Sequence, residues 1–172
     1  MLFLLTGMCY AGKTTTGKLL GKELGIPAFD FSDLFKDIYG TTEIEYLNRF
    51  GQANFAEAEK RVLQKDYKDM VISLSGSCLY YTQEMTNLTR RPDTLVLFLH
   101  TPLSVIKERM EKDKNPRPIL YPRPGMTFDE LYYERFKIYA EYAHSFINIE
   151  RSHAPSNVVS IIKSTLTAHK AI

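Results

Sequence analysis

Cysteine is nearly absent from this chain: Cys9 and Cys78 are the only two, and neither has a partner at metal-ligand spacing. Neither a disulfide framework nor a structural zinc site is indicated, and a reducing, cytoplasmic setting is expected. An excess of one charge is also lacking. With 22 basic and 20 acidic residues the formal charge is +2, which gives no reason to expect nucleic acid or an anionic membrane as a partner. No apolar run approaches the roughly 20 residues of a membrane-spanning helix. The first residues are apolar and end in Tyr10-Ala11-Gly12, but no basic residue precedes them, which argues against a secretory signal. Repeats and low-complexity tracts are missing too. What is left is a chain of 172 residues, long enough to bury a core of its own, and read as one soluble, monomeric domain over 1–172.

Within it, Gly7 to Thr14 read G-M-C-Y-A-G-K-T and follow the apolar run Met1 to Leu5. Gly, four residues, then Gly-Lys-Thr is the phosphate-loop pattern, and its place between a strand and a helix gives the match its weight. Main-chain N–H groups of Gly7, Cys9, Tyr10, Ala11, Gly12, Lys13, Thr14 and Thr15 would cradle phosphate oxygens at the positive end of the helix. Lys13 would neutralise the β- and γ-phosphates of ATP, and the Thr14 hydroxyl would ligate Mg²⁺. Cys9, near that helix start and Lys13, would favour its thiolate and could act as a redox control point; the competing reading is a small side chain that fits the loop.

The pattern alternates onward. Thr14 to Leu24 is helical and stops at Gly25-Ile26-Pro27. Ala28 to Phe31 is a short strand, and a helix capped by Ser32 or Asp33 runs to Gly40. Glu43 to about Tyr67 is helical with an interruption near Gly51. Met70 to Leu74 and Thr94 to Leu99 suit strands buried on both faces of a parallel sheet. Helices follow at Pro102 to Met110, Phe128 to Ala143 and Pro155 to Leu166, with a last strand at Phe146 to Ile149. Five strands alternating with helices predict a three-layer α/β/α sandwich with a five-stranded parallel sheet and ligands at the carboxyl ends of the strands.

With phosphates at the loop, an acceptor would approach from Asp30-Phe31-Ser32-Asp33 and Ser75-Gly76-Ser77. Asp30 would hold Mg²⁺ through a water or, alternatively, cap a helix. Asp33 would orient or deprotonate an acceptor hydroxyl, or simply complement the helix dipole. The stretch from about 112 to 126 holds Pro116, Pro118, Pro122 and Pro124 and four cations, Lys112, Lys114, Arg117 and Arg123. It cannot be helical and reads as a lid over the phosphates. Lys112 and Lys114 read as solvated. Arg117 is the candidate for stabilising transition-state charge through its two-donor fork. Arg135 would meet an anionic group of the acceptor, or pair with Glu134 or Glu141.

These motifs resemble the shikimate kinase family nearly end to end: the phosphate loop, Phe29-Asp30, Phe50-Gly51-Gln52, Phe55 to Glu59, Ser75-Gly76-Ser77, Arg109, Arg117 to Leu120, Glu134-Arg135 and Ala154-Pro155. The resemblance implies a nucleoside-monophosphate-kinase-like P-loop fold with a lid, an acceptor-binding region over about 32–66, and transfer of the ATP γ-phosphoryl to a ring hydroxyl of shikimate with Mg²⁺. It further implies that Asp30 assists the metal, that Arg109 and Pro155 sandwich the adenine, that Arg117 is the lid arginine and that Arg135 binds the substrate carboxylate, with Ser32, Asp33, Ser75, Gly76 and Ser77 around the acceptor.

Four departures fall together. Counting without gaps, the family's substrate-binding Asp falls on Ser32 and its substrate-binding Arg on Ala56, the glycine-rich turn has become Ser75-Gly76-Ser77, and Tyr10 stands where a further Gly is usual. Nucleotide-side residues are kept and acceptor-side residues are altered. The expectation is a shikimate kinase-like phosphotransferase acting on a hydroxyl of a small polar metabolite, with shikimate itself weakened as the acceptor. The alternatives are a nucleoside or nucleotide kinase, for which Phe31, Phe35, Tyr80 and Tyr81 could supply stacking, and an ATP-binding protein that has lost catalysis.

Overall fold

Strand β1, Leu2–Thr6, is buried along its whole length, as an apolar run covered by helices on both faces must be. The computed structural model describes residues 1–114, 116 and 119–170. After β1 come α1 (Lys13–Leu24), β2 (Ala28–Asp30), α2 (Phe31–Tyr39), α3 (Glu43–Leu63) and β3 (Met70–Ser73). A single 3₁₀ turn, Cys78–Tyr80, leads to α4 (Thr82–Thr89), followed by β4 (Thr94–His100), α5 (Leu103–Lys112), α6 (Phe128–Tyr142), β5 (Ser145–Asn148) and α7 (Pro155–Lys170). The strands form one parallel sheet in the order β2-β3-β1-β4-β5.

Alternate residues of each strand face opposite layers. Leu4, Ile72, Val96 and Phe98 join Phe35, Phe55, Val62, Met85 and Tyr139 from α2, α3, α4 and α6 on one side. Phe3, Leu5, Val71, Leu97 and Leu99 join Leu20 of α1 and Val158, Val159 and Ile162 of α7 on the other. The result is the three-layer α/β/α sandwich that the alternation predicts. Among the described residues no helix is long and apolar enough to cross a membrane.

Local chemistry sets the element ends. Capping boxes start α3 (Thr42 with Glu45) and α6 (Thr127 with Glu130), each satisfying two otherwise orphaned N–H groups. Helix α3 kinks at Gly51, which has φ 78° and ψ 169°. The elements differ from expectation at several ends and in one added helix. Phe31 opens α2 rather than ending β2, because its ring is buried in the core at 2% exposure, so the cap moves back to Asp30. Helix α4 and the preceding turn were not expected: Thr82–Thr89 carries only Met85 and Leu88 as core-facing apolar residues, too few for a readable stripe.

Candidate active site

The carboxyl ends of β1, β2 and β3 open into a cavity of about 560 Å³, the place where parallel α/β sheets bind ligands. One wall is the β1–α1 loop. Gly7 must be glycine there: its φ is +142°, and a Cβ would stand 2.8 Å from the Leu99 carbonyl oxygen. Gly7 and Ala11 lie beneath the lining, whereas Cys9, Tyr10, Gly12, Lys13, Thr14 and Thr15 border it. Lys13 Nζ donates to the carbonyls of Gly7 (2.7 Å) and Met8 (2.9 Å), holding the cation over the loop. Gly12 caps α1 with no side-chain bond, so the first-turn N–H groups have no intrahelical acceptor and face the cavity. Main-chain donors, an ammonium and a hydroxyl on one rim fit a polyphosphate.

The donor set for a metal is sparse. Thr14 and Asp30 border the cavity, and among the described residues no cluster of three or more His, Cys, Asp or Glu could hold an ion. That suits Mg²⁺, which keeps waters and takes phosphate oxygens rather than a protein cage. Asp30 occupies the N-cap position of α2 but makes no side-chain capping bond.

Tyr10 adopts φ 62°, the left-handed region that glycine favours. Its hydroxyl donates to Asp113 Oδ2 at 3.0 Å, across to the end of α5, and its carbonyl accepts from Arg109 at 2.8 Å. Arg109 therefore braces the phosphate loop and stays outside the cavity lining, as does Pro155, exposed at the start of α7. Arg117 lies outside the described residues. The expected thiolate character of Cys9 is corrected: burial pushes its thiol up, outweighing the nearby charges of Lys13 and Arg135.

The opposite wall carries Ser32, Ser75, Gly76, Ser77 and Arg135. Asp33, one residue past Ser32, is exposed and outside the lining. Arg135 is 4% exposed, donates to the Leu120 carbonyl at 2.8 Å and packs over the Tyr80 ring. Its Nε has no hydrogen-bond partner, and among the described residues it forms no ion pair with Glu134 or Glu141. Glu134 is taken by Arg123 at 2.6 Å and by the Tyr80 hydroxyl. Gly76 makes the room: a Cβ there would collide with the Arg135 guanidinium. Of the four aromatic residues considered for stacking, only Phe31 lines the cavity.

Two carboxylates were not picked out from sequence. Glu59, one helical turn beyond Ala56, is fully buried and accepts from Ser77 Oγ (2.5 Å), Tyr81 OH (2.5 Å) and Ser75 Oγ (3.4 Å). Burial pushes its pKa up to about 7 in spite of those donors. The second is Glu43, which lines the cavity and accepts from Ser32 Oγ at 2.5 Å. Burial and the neighbouring Asp30 charge raise its pKa, and the Ser32 bond only partly opposes this. The sequence marks both as helix acids; only the fold shows where they point.

Comparison with known proteins agrees with this geometry. The family model for shikimate kinase matches residues 10–167. A shikimate kinase of Synechococcus elongatus is 31% identical over 169 residues, covering 94% of this chain and 86% of the relative. The crystal structure of shikimate kinase from Bacteroides thetaiotaomicron superposes with a TM-score of 0.80 at 26% identity, over 97% of this chain and 98% of that one. Shikimate kinase from Acinetobacter baumannii, solved in complex with shikimate, shares the fold at a TM-score of 0.80 and 24% identity, over 98% and 93% of the two chains.

Proposed function

The chain belongs to the shikimate kinase family, and on that premise we propose that its acceptor is a small hydroxy acid whose carboxylate is held by Arg135. The protein is an ATP-dependent kinase, a shikimate kinase-like phosphotransferase. The observation that carries the acceptor reading is a guanidinium, 4% exposed, that borders the cavity and is paired with no carboxylate of the described residues. A cation so placed can bind an acceptor carboxylate through charge-assisted hydrogen bonds.

Main-chain N–H groups from Gly12 to Thr15 bind the β- and γ-phosphates, and Lys13 leaves the Gly7 and Met8 carbonyls to neutralise them. Thr14 and Asp30 would hold Mg²⁺, which when bound would supply charge stabilisation for the transferred group. Tyr10 and Arg109 keep the loop in shape through the bonds to Asp113 and to the Tyr10 carbonyl. Arg135 fixes the acceptor at its carboxylate end, so that a hydroxyl at the other end faces the nucleotide. Positioning and electrostatics supply most of the catalysis in such transfers.

Shikimate, the ligand of the Acinetobacter relative, carries a carboxylate and ring hydroxyls and is the first acceptor to try. Ala56 leaves the carboxylate without the second cation that the family resemblance implies. One charged hydrogen bond is worth roughly 1.5–3 kcal/mol, so affinity for shikimate is expected to be about tenfold to over a hundredfold below that of a two-arginine site. Coupled ADP release over shikimate, other hydroxy acids, neutral cyclitols and nucleoside monophosphates tests the reading. Turnover of an acid, with Arg135→Gln raising its KM, is the expected result; turnover confined to neutral polyols or nucleotides would remove the reading.

A further inference from the structure

We propose that Glu43 is the acceptor-site carboxylate of this chain, supplied from the first turn of α3 to the position at Ser32 where no acid stands. The inference rests on the acceptor cavity just described and adds the group that reads the acceptor hydroxyl.

Four observations converge on Glu43. It lines the cavity together with Asp30, Ser32 and Ile44. Its Oε2 accepts from Ser32 Oγ at 2.5 Å, a contact between residues 11 apart that bridges α2 and α3. Its Oε1 accepts no hydrogen bond from the described residues, so half of the carboxylate of this cavity-lining residue is left for a ligand. The Thr42–Glu45 capping box, with bonds of 3.0 Å and 3.3 Å, pins the turn from which Glu43 projects. A capping role is thereby already filled by Glu45, and among the described residues Glu43 has no hydrogen-bond partner besides Ser32.

A partly desolvated carboxylate with a free oxygen is an acceptor for hydroxyl protons. Glu43 orients the acceptor hydroxyl; as that oxygen bonds to the γ-phosphorus, the bond from phosphorus to the bridging oxygen breaks and ADP leaves with the electron pair. The hydroxyl proton passes to Glu43, which later releases it to water. Ser32 holds the carboxylate in place through its own hydroxyl.

Two variants test this: Glu43→Gln, and Ser32→Asp combined with Glu43→Gln, which moves the acid across the 2.5 Å contact. Glu43→Gln is expected to lower kcat/KM for the acceptor about tenfold to over a hundredfold, the range for losing a charged hydrogen bond, while the calorimetric Kd for MgATP stays within twofold. The double variant is expected to regain at least about tenfold, which a packing role for Glu43 would not produce. Unchanged kcat/KM in Glu43→Gln, or no recovery in a folded double variant, overturns the inference. Failure of the cavity reading looks different: Arg135→Gln would then also leave acceptor KM untouched, whereas an effect of Arg135→Gln without one of Glu43→Gln removes Glu43 alone.

Discussion

Ser77 Oγ donates a 2.5 Å hydrogen bond to the buried carboxylate of Glu59, so an altered turn and a buried helix acid form one unit. The resemblance implies an arginine at position 56, one turn before Glu59, where i,i+3 neighbours pair on a helix. Ala56 removes that cation, and the hydroxyls of Ser75, Ser77 and Tyr81 surround Glu59 instead. Two of the acceptor-side departures are thus joined through a residue that does not itself depart.

Stability is expected to depend on pH through Glu59. Its folded pKa is raised to about 7 from 4.5, so the native state binds a proton more tightly than the unfolded chain. The contribution, about 3 kcal/mol by linkage, is fully present below pH 4.5 and is lost as pH rises through 7. The raised pKa of Glu43 acts with the same sign. Urea unfolding at pH 5 and pH 8 should give a lower midpoint at the higher pH. Glu59→Gln, which keeps the hydroxyl network, should flatten the difference, and an equal slope in that variant would refute the account.

Gly76→Ala tests whether Arg135 is placed by the room that the turn leaves. The new Cβ would strike the guanidinium, the far end of a long side chain, so the guanidinium and not the backbone must shift. Arg135 would be pushed from its bond to Leu120. Acceptor KM should rise at least about tenfold while MgATP affinity is kept, because Gly76 and the phosphate loop lie on opposite walls. Equal loss of both affinities would point to a general collapse of the cavity.

The layers and the phosphate loop were legible because strand alternation and loop chemistry are local. Gly7, Lys13 and Thr14 announce themselves by spacing. The acceptor wall was legible only in part. Ser32 could be counted into place, but its partner Glu43 reads in sequence as an ordinary first-turn acid, since its role depends on how α2 and α3 meet. Glu59 is hidden for the same reason: nothing local distinguishes it from Glu57, which is exposed and paired with Lys60 at 2.7 Å. For Cys9 the sequence shows the neighbouring charge of Lys13 but not the burial that pushes the thiol up, which favours the reading of a small side chain that fits the loop.

Lys13→Ala should abolish nucleotide use without unfolding the protein. The ammonium bonds two carbonyls, at 2.7 Å and 2.9 Å, on a cavity rim where water can replace it. MgATP affinity should fall about tenfold to over a hundredfold, and turnover with it, while the thermal midpoint moves little. Calorimetry beside a thermal melt separates the two effects; tight MgATP binding by Lys13→Ala would contradict the phosphate role.

Tyr10 holds a left-handed backbone at a position where glycine is usual in the resembling family, and a non-glycine residue there carries roughly 1–2 kcal/mol of strain. The strain is offset by the Tyr10 hydroxyl bond to Asp113 at 3.0 Å. Comparing variants isolates the two terms. Tyr10→Ala keeps the Cβ and loses the hydroxyl; Tyr10→Gly loses both side chain and strain. Tyr10→Gly should therefore be the more stable of the pair by about 1 kcal/mol, and Tyr10→Phe should fall below the parent by about 0.5–1.5 kcal/mol for the lost bond. Denaturant midpoints for the parent and the three variants decide it, and an alanine variant as stable as the glycine one would show that the loop relaxes out of the left-handed region when the tyrosine is gone.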